Sequence, residues 1–273
     1  MKCGSRLSEK DPVAVEEPME IRLETAPNGR PSTQSVSVTM RTPGHDFELA
    51  AGFLFSEGIL EGRDSLQEIT YCQSRELQEY NVVTVRLKNG VVVDPELLTR
   101  NFYTTSSCGV CGKGSLEAIE LRGCQPLSDG SLSLDAALIP VLPDRLLDAQ
   151  KGFKRTGGLH AAGLFDSGGR LVAVREDVGR HNAVDKVIGR GLLEGQFPLR
   201  DHILVVSGRT SFEILQKVVS AGIPAVVAVG APSTLAVELA RKFNVTLIGF
   251  TKPHGFNLYS GGFRVRDWEG EER

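Results

Sequence analysis

Ile203-Leu-Val-Val-Ser207, Ala225-Val-Val-Ala-Val229 and Val245-Thr-Leu-Ile-Gly-Phe250 are short, almost uninterrupted apolar runs. A half-buried strand alternates apolar with polar residues, whereas a continuous run of this length fits a strand covered on both faces, as in a parallel sheet flanked by helices. Leu171-Val-Ala-Val-Arg175 is a fourth run of the same kind. Helical patterns fill the gaps at Ala183 to Arg190, Phe212 to Ser220 and Leu235 to Phe243. In the second of these, Phe212, Leu215, Val218 and Val219 share one face and Gly222 follows as a stop. Alternation of strand and helix predicts an α/β layer fold with a mostly parallel sheet.

The first half reads differently. Val36, Val38 and Met40 alternate with polar residues in Ser35-Val-Ser-Val-Thr-Met-Arg41, a half-buried strand. Thr42-Pro-Gly-His-Asp46 is a turn whose Asp46 is placed to cap the next helix. On that helix Leu49, Ala50, Phe53 and Leu54 share a face, and Gly58 suits its end. Asn81-Val-Val-Thr-Val-Arg-Leu87 and Val91-Val-Val93 flank Lys88-Asn-Gly90, a hairpin signal. These elements predict a smaller α+β domain with mainly antiparallel pairing. The chain is accordingly divided into a flexible tail over 1–18, an N-terminal α+β domain over 19–130 and an α/β domain over 131–273. The boundary falls in the Gly- and Pro-rich stretch between Gly123 and Pro143.

The 273 residues include 31 Lys and Arg against 34 Asp and Glu, for a net charge of −3. That excludes the broad positive field of non-specific nucleic-acid binding but leaves room for a local anion site. Hydrophobic residues at 41% and charged residues at 24% exclude wholesale disorder. No apolar run reaches the ~20 residues of a membrane helix, and Met1 to Pro18 lacks the apolar core of a signal peptide. Five cysteines, an odd number, fit reduced thiols in the cytoplasm better than a secreted disulfide framework.

Ligands of a parallel sheet collect beyond the carboxyl ends of its strands. Four loops follow the four runs: Glu176-Asp-Val-Gly-Arg-His-Asn182, Ser207-Gly-Arg-Thr210, Gly230-Ala-Pro-Ser233 and Thr251-Lys-Pro-His-Gly255. Three of them lead into helix N-termini, whose free N–H groups attract anions. Arg180, His181, Arg209, Lys252 and His254 are placed on the same rim, so a phosphate-bearing ligand fits. The bland alternative is turns, caps and solvated charges. No loop matches a Walker or G-x-G-x-x-G pattern.

In Thr104-Thr-Ser-Ser-Cys-Gly-Val-Cys-Gly-Lys113 the cysteine spacing suits a redox pair, half of a zinc site, or sulfur handling. There is no second Cys-x-x-Cys; Cys3, Cys72 and Cys124 are isolated, and the last two read as structural. Reactivity needs thiolate, which Lys113 and a helix start near Ser115 would favour. In Arg155-Thr-Gly-Gly-Leu-His160 a histidine follows two glycines, as either a ligand contact or a buried structural residue. Ala162 stands where the His-x-Glu of a zinc deaminase has its catalytic acid, so deaminase chemistry is not expected.

Ser106-Ser-Cys-Gly-Val-Cys-Gly-Lys113, Thr156-Gly-Gly-Leu-His160, Glu176-Asp-Val-Gly-Arg-His-Asn-Ala-Val-Asp-Lys186 and Ser207-Gly-Arg-Thr-Ser-Phe-Glu213 together resemble the formate dehydrogenase accessory sulfurtransferase family, FdhD. Phe53-Leu-Phe-Ser-Glu-Gly58 and Leu247-Ile-Gly-Phe250 fit it as well, and the likeness runs from residue 35 to residue 266. The resemblance implies a cytoplasmic sulfurtransferase. It would accept persulfide sulfur from a cysteine desulfurase and pass it to the molybdenum cofactor, bis-molybdopterin guanine dinucleotide, as formate dehydrogenase activity requires. It implies a cytidine-deaminase-like three-layer α/β domain. By position, Cys108 would hold the persulfide and Cys111 would assist. Phe250, Thr251, Lys252, Pro253, His254 and Gly255 fall where the family contacts the cofactor, bound as substrate. Ser207, Gly208 and Arg209, with His160, Arg180 and His181, complete the expected cofactor contacts. The implied partners are the desulfurase and the formate dehydrogenase, and a homodimer is compatible with the likeness. No nucleic acid, membrane or permanent metal is expected. A non-catalytic cofactor chaperone for formate dehydrogenase and a zinc-stabilised binding module are the alternatives of a different class.

Overall fold

The computed structural model describes residues 10–26, 30–73, 78–94, 124–128, 130 and 132–272. Strands β1 (Glu17–Thr25), β2 (Ser32–Arg41), β3 (Leu66–Gln73) and β4 (Gln78–Leu87) form one sheet in the order β2-β1-β4-β3, with helix α1 (Asp46–Ser56) between β2 and β3 in sequence. Alternate residues Met19, Ile21 and Leu23 of β1 and Val83, Val85 and Leu87 of β4 are buried with Leu49, Ala50 and Leu54 of α1. Pairing is antiparallel except between β1 and β4.

Three local expectations change here. Strand β1 starts at Glu17, inside the stretch read as a tail. The Asn-Gly turn closes, with Val91 N donating to Lys88 O at 3.3 Å, but 91–93 add no strand, because β1 and β3 already occupy both edges of β4. Asp46 does not cap α1. Its carboxylate instead accepts Arg41 Nε at 3.1 Å and Nη2 at 3.0 Å, and a buried two-pronged ion pair outcompetes a cap.

The second sheet contains β6 (His160–Phe165), β7 (Leu171–Asp177), β8 (Ile203–Val206), β9 (Ala225–Ala228), β10 (Thr246–Lys252) and β11 (Gly255–Ser260), in the order β11-β10-β9-β8-β6-β7. A short ladder of β5 (Leu134–Asp135) with β12 (Val265–Arg266) lies apart. Helices α2 (Leu142–Ala149) and α3 (Lys151–Thr156) precede β6; α4 (Arg180–Leu193), α5 (Phe212–Ala221) and α6 (Thr234–Lys242) follow β7, β8 and β9.

The four apolar runs all point the same way, but they are not one parallel block. Strand β6 lies antiparallel between β7 and β8, so only the β8–β9 and β9–β10 pairings are parallel. The turn after β6, closed by Asp166 N to Arg170 O at 3.0 Å, is too short for a crossover and forces a hairpin. The protein is therefore a mixed α/β fold with several sheets.

Both faces of the second sheet are covered, which explains the continuous apolar runs. On one face Ala162, Leu164, Val206, Val226 and Leu247 cluster with Val184, Val187, Leu215 and Leu239 of α4–α6. On the other, Ala161, Phe165, Ile203, Val205 and Val227 cluster with Ile139, Leu142 and Leu146. Helix α1 crosses α4 at glycines. A Cβ on Gly52 would lie 1.9 Å from Asp185 O, and one on Gly189 would lie 1.8 Å from Glu48 O.

Candidate functional site

The carboxyl ends of β7, β8, β9 and β10 and the start of β6 share one edge. The loops there are joined by their backbones. Ser207 N donates to Ala161 O at 3.0 Å while Ser207 Oγ accepts from Ala161 N at 2.9 Å. Gly230 N donates to Gly208 O, Phe250 N to Gly230 O and Thr210 N to Ala231 O, each at 3.1 Å. Gly230 allows this approach, since a Cβ there would lie 2.9 Å from Arg209 N and from Gly208 O. A Cβ on Gly208 would lie 3.4 Å from His160 Nδ1 and 3.9 Å from Arg180 Cδ, so these three expected residues stand side by side.

Helices α4, α5 and α6 begin at this edge behind Gly179, Ser211 and Ser233. Ser233 caps α6 by accepting from Ala236 N at 3.3 Å. Ser211 Oγ instead donates to Glu213 Oε2 at 2.8 Å and lies 3.1 Å from His181 Nε2, which is itself 3.2 Å from Glu213 Oε2. The hydrogen bond from His181, and then that from Ser211, hold the Glu213 carboxyl down at about 2 against its ordinary 4.5. A depressed carboxyl stabilises the fold above its unfolded value and loses that contribution as pH falls through its folded one. Glu213→Gln is therefore expected to flatten the loss of stability between pH 4.5 and about 2. Urea midpoints across that range check it, and the change is modest because Glu213 is half exposed. Burial, with the Arg180 charge behind it, pushes His160 below the ordinary histidine range.

Several polar groups on this edge have no partner among the described residues. They are Arg180 Nε and the hydroxyls of Thr210 and Thr251, the two threonines being 1% and 2% exposed. An unpaired buried polar group costs about 1–3 kcal/mol, which a polar ligand would offset.

On the α2–α3 side the same edge opens into a cavity of about 610 Å³, within the range of small-molecule sites. Leu146, Leu147, Phe153 and Leu159 make its apolar wall; His160, Ser207, Thr251, Lys252 and Pro253 reach it from the rim. Gln150, only 3% exposed, also lines it. An apolar slot with one amide and a basic rim suits a planar heterocycle that carries phosphate.

Of the expected site residues, His160, Arg180, His181, Ser207, Gly208, Arg209, Thr251, Lys252 and Pro253 are thus gathered on one edge. Phe250 is there too, half exposed and in the left-handed region at φ 52, a rare conformation for a bulky side chain. His254 is exposed in the turn from β10 to β11, which begins at Gly255. Cys108 and Cys111 lie outside the described residues. Cys72 and Cys124 are half-buried and unbridged. Among the described residues no three His, Cys, Asp or Glu side chains gather as a metal site, and no helix is long and apolar enough to cross a membrane. Gln150, between α2 and α3, and Phe153 of α3 belong to no motif in the sequence, and only the return of β6 beside α2 and α3 makes them line a cavity.

Comparison with known proteins finds relatives along nearly the whole chain. The Streptomyces avermitilis sulfur carrier protein FdhD is 51% identical over 269 residues, covering 97% of this chain and 93% of the relative. The protein of the same name from Mycobacterium tuberculosis is 47% identical over 266 residues, 95% and 93% of the two chains. That from Sulfolobus acidocaldarius is 41% identical over 265 residues, 97% and 95%. A crystal structure described as a formate dehydrogenase accessory protein from Desulfotalea psychrophila superposes with a TM-score of 0.72 at 27% identity, over 97% of this chain and 95% of that one. With the FdhD/NarQ family model matching from residue 14 to residue 266, and the rim and its loops inside that span, the chain belongs to the FdhD/NarQ family.

Proposed function

We propose that the protein is a sulfurtransferase that carries persulfide sulfur from a cysteine desulfurase, on Cys108, to the molybdenum cofactor held at the rim, so that a formate dehydrogenase becomes active. The observation that carries this reading is near full-length identity to relatives named sulfur carrier protein FdhD, together with the Cys108-Gly-Val-Cys111 loop. The rim supports a dinucleotide substrate such as bis-molybdopterin guanine dinucleotide. Arg180, Arg209 and Lys252 supply positive charge for diphosphate, and the cavity beside Gln150 and Phe153 offers a slot for a base. The three-layer domain is read as a cytidine-deaminase-like scaffold, with the buried Ala162 where the catalytic acid would be.

The chemistry asked of the chain is thiol–persulfide exchange. The Cys108 thiolate attacks the terminal sulfur of the donor's persulfide; a new S–S bond forms, the donor's S–S bond breaks, and the donor leaves as a thiolate. Attack of the Cys111 thiolate on the inner sulfur of Cys108 then releases hydrosulfide and leaves a Cys108–Cys111 disulfide, which a dithiol reductant reopens.

The test is peptide-resolved mass spectrometry after incubation with a cysteine desulfurase and cysteine, without reductant. One added sulfur on the peptide containing Cys108, removed by reductant and absent from Cys108→Ala, is the expected result. Absence of both added sulfur and a Cys108–Cys111 disulfide, with an active donor, sinks the carrier reading. Retained activation of formate dehydrogenase by Cys108→Ala would favour a chaperone instead.

A further inference from the structure

Four donors converge on one buried carboxylate at the end of β7. Asp177, 0% exposed, takes Lys186 Nζ at 2.7 Å and Thr42 N at 3.1 Å on Oδ2. On Oδ1 it takes Gly179 N at 2.8 Å and Asn182 Nδ2 at 3.1 Å. Lys186, 1% exposed, also donates to Thr42 O at 2.9 Å and Glu176 O at 3.3 Å. Val178 N donates to Thr42 Oγ1 at 3.1 Å, and Asn182 Nδ2 reaches Met40 O at 2.8 Å. The loop from Val178 to Asn182, which carries Arg180 and His181, is therefore held at both ends. Much of what holds it belongs to the turn between β2 and α1.

A second buried pair provides the contrast. Lys217 Nζ lies 2.9 Å from both carboxylate oxygens of Asp185, and Ser56 Oγ donates to Asp185 Oδ1 at 2.9 Å. It also joins the α1 region to α4, but it touches no residue of the rim loop. Buried ion pairs are poor stabilisers, and an apolar replacement of both partners is often as stable. An apolar cluster would not, however, aim two backbone N–H groups and an asparagine amide at one point. At Asp177 that aiming sets the direction in which Arg180 and His181 leave the sheet.

We propose that Asp177, together with Lys186, is the positioning residue of the rim. It places Arg180 and His181 for anion binding, and through Thr42 it makes that placement depend on the first sheet being seated against α4. The inference rests on the reading of the rim as a diphosphate site. It extends that reading by naming what fixes the site and by linking the two sheets to its affinity.

Calorimetric titration of the full chain with inorganic pyrophosphate tests it, alongside urea midpoints for every variant. Wild type is expected to bind, and Arg209→Ala to bind more weakly. Asp177→Asn is expected to weaken binding about 10-fold, equivalent to the whole loop losing its direction. Should that variant fail to fold, Asn182→Ala removes one of the four donors and is expected to weaken binding about 3-fold, as one hydrogen bond does. Ser56→Ala disturbs the other buried pair; it should lower the urea midpoint while keeping wild-type affinity. Wild-type affinity in Asn182→Ala and Asp177→Asn, with Arg209→Ala impaired, overturns the positioning role and leaves the rim reading standing. Equal weakening by Ser56→Ala and Asn182→Ala also overturns it, because the effect would then be general destabilisation. Failure of wild type to bind pyrophosphate overturns the rim reading, and the positioning role with it.

Discussion

Gly189→Ala is expected to destabilise the protein by more than about 3 kcal/mol, as large overpacking changes do. The direction opposes helix propensity, which favours Ala over Gly by up to about 1 kcal/mol in a helix interior. Packing decides here. The new Cβ would lie 1.8 Å from Glu48 O and 2.8 Å from Gly52 N, both backbone atoms of α1 with no rotamer to relieve them. The helices would have to separate by more than an ångström, since contacts under 3.0 Å essentially never occur. Separation would also stretch the Ser56–Asp185 and Lys186–Thr42 bonds that cross the same interface. Gly52→Ala should behave alike, because its Cβ meets Asp185 O at 1.9 Å. The double variant should cost less than the sum, as one separation relieves both clashes. Urea denaturation measures all three, and a Gly189→Ala protein as stable as wild type would refute the close crossing.

Lys217→Met is expected to cost about 3–5 kcal/mol at neutral pH, the usual penalty for removing one partner of a buried ion pair. Burial opposes the Lys217 ammonium, but Asp185 first, then Glu57 and Glu213, outweigh it and raise the group above the ordinary lysine value of 10.5. Its contribution is thus complete below pH 10.5 and fades as pH rises past that value. Without Lys217, the Asp185 carboxylate would remain 2% exposed with Ser56 as its surviving side-chain donor. Protonation would then relieve it, so the penalty should shrink on going from pH 7 to pH 5, whereas a simple packing defect would give the same penalty at both. Adding Asp185→Asn to Lys217→Met should recover much of the stability, because no buried charge is left. Denaturation of the single and double variants at both pH values decides this; a pH-independent penalty would rule out the charge mechanism.

Much of the site's location was legible from local pattern. A strand covered on both faces must be apolar at successive positions, so Ile203–Val206, Ala225–Ala228 and Thr246–Lys252 were identifiable from composition alone, and the loops after them had to reach one edge. The reading was less secure wherever a residue had two local options. Asp46 has the chemistry of a cap, and the nearby buried Arg41, with the Tyr71 hydroxyl, draws it away. Val91–Val93 have the pattern of a strand, but no vacant edge awaits them beside β4.

Most kinds of element, the order of the loops and the residues with the chemistry to hold an anion follow from local sequence, because these depend on period, turn residues and side-chain type within a few positions. Tertiary structure alone decided that β6 inserts antiparallel between β7 and β8, that α1 meets α4 through Gly52 and Gly189, that Gln150 faces a cavity, and that Asp177 gathers donors from Thr42 to Lys186. The α1–α4 crossing and the Thr42–Asp177 contact join residues more than a hundred positions apart, and strand edges are settled by competition among whole strands, so no local pattern records these outcomes.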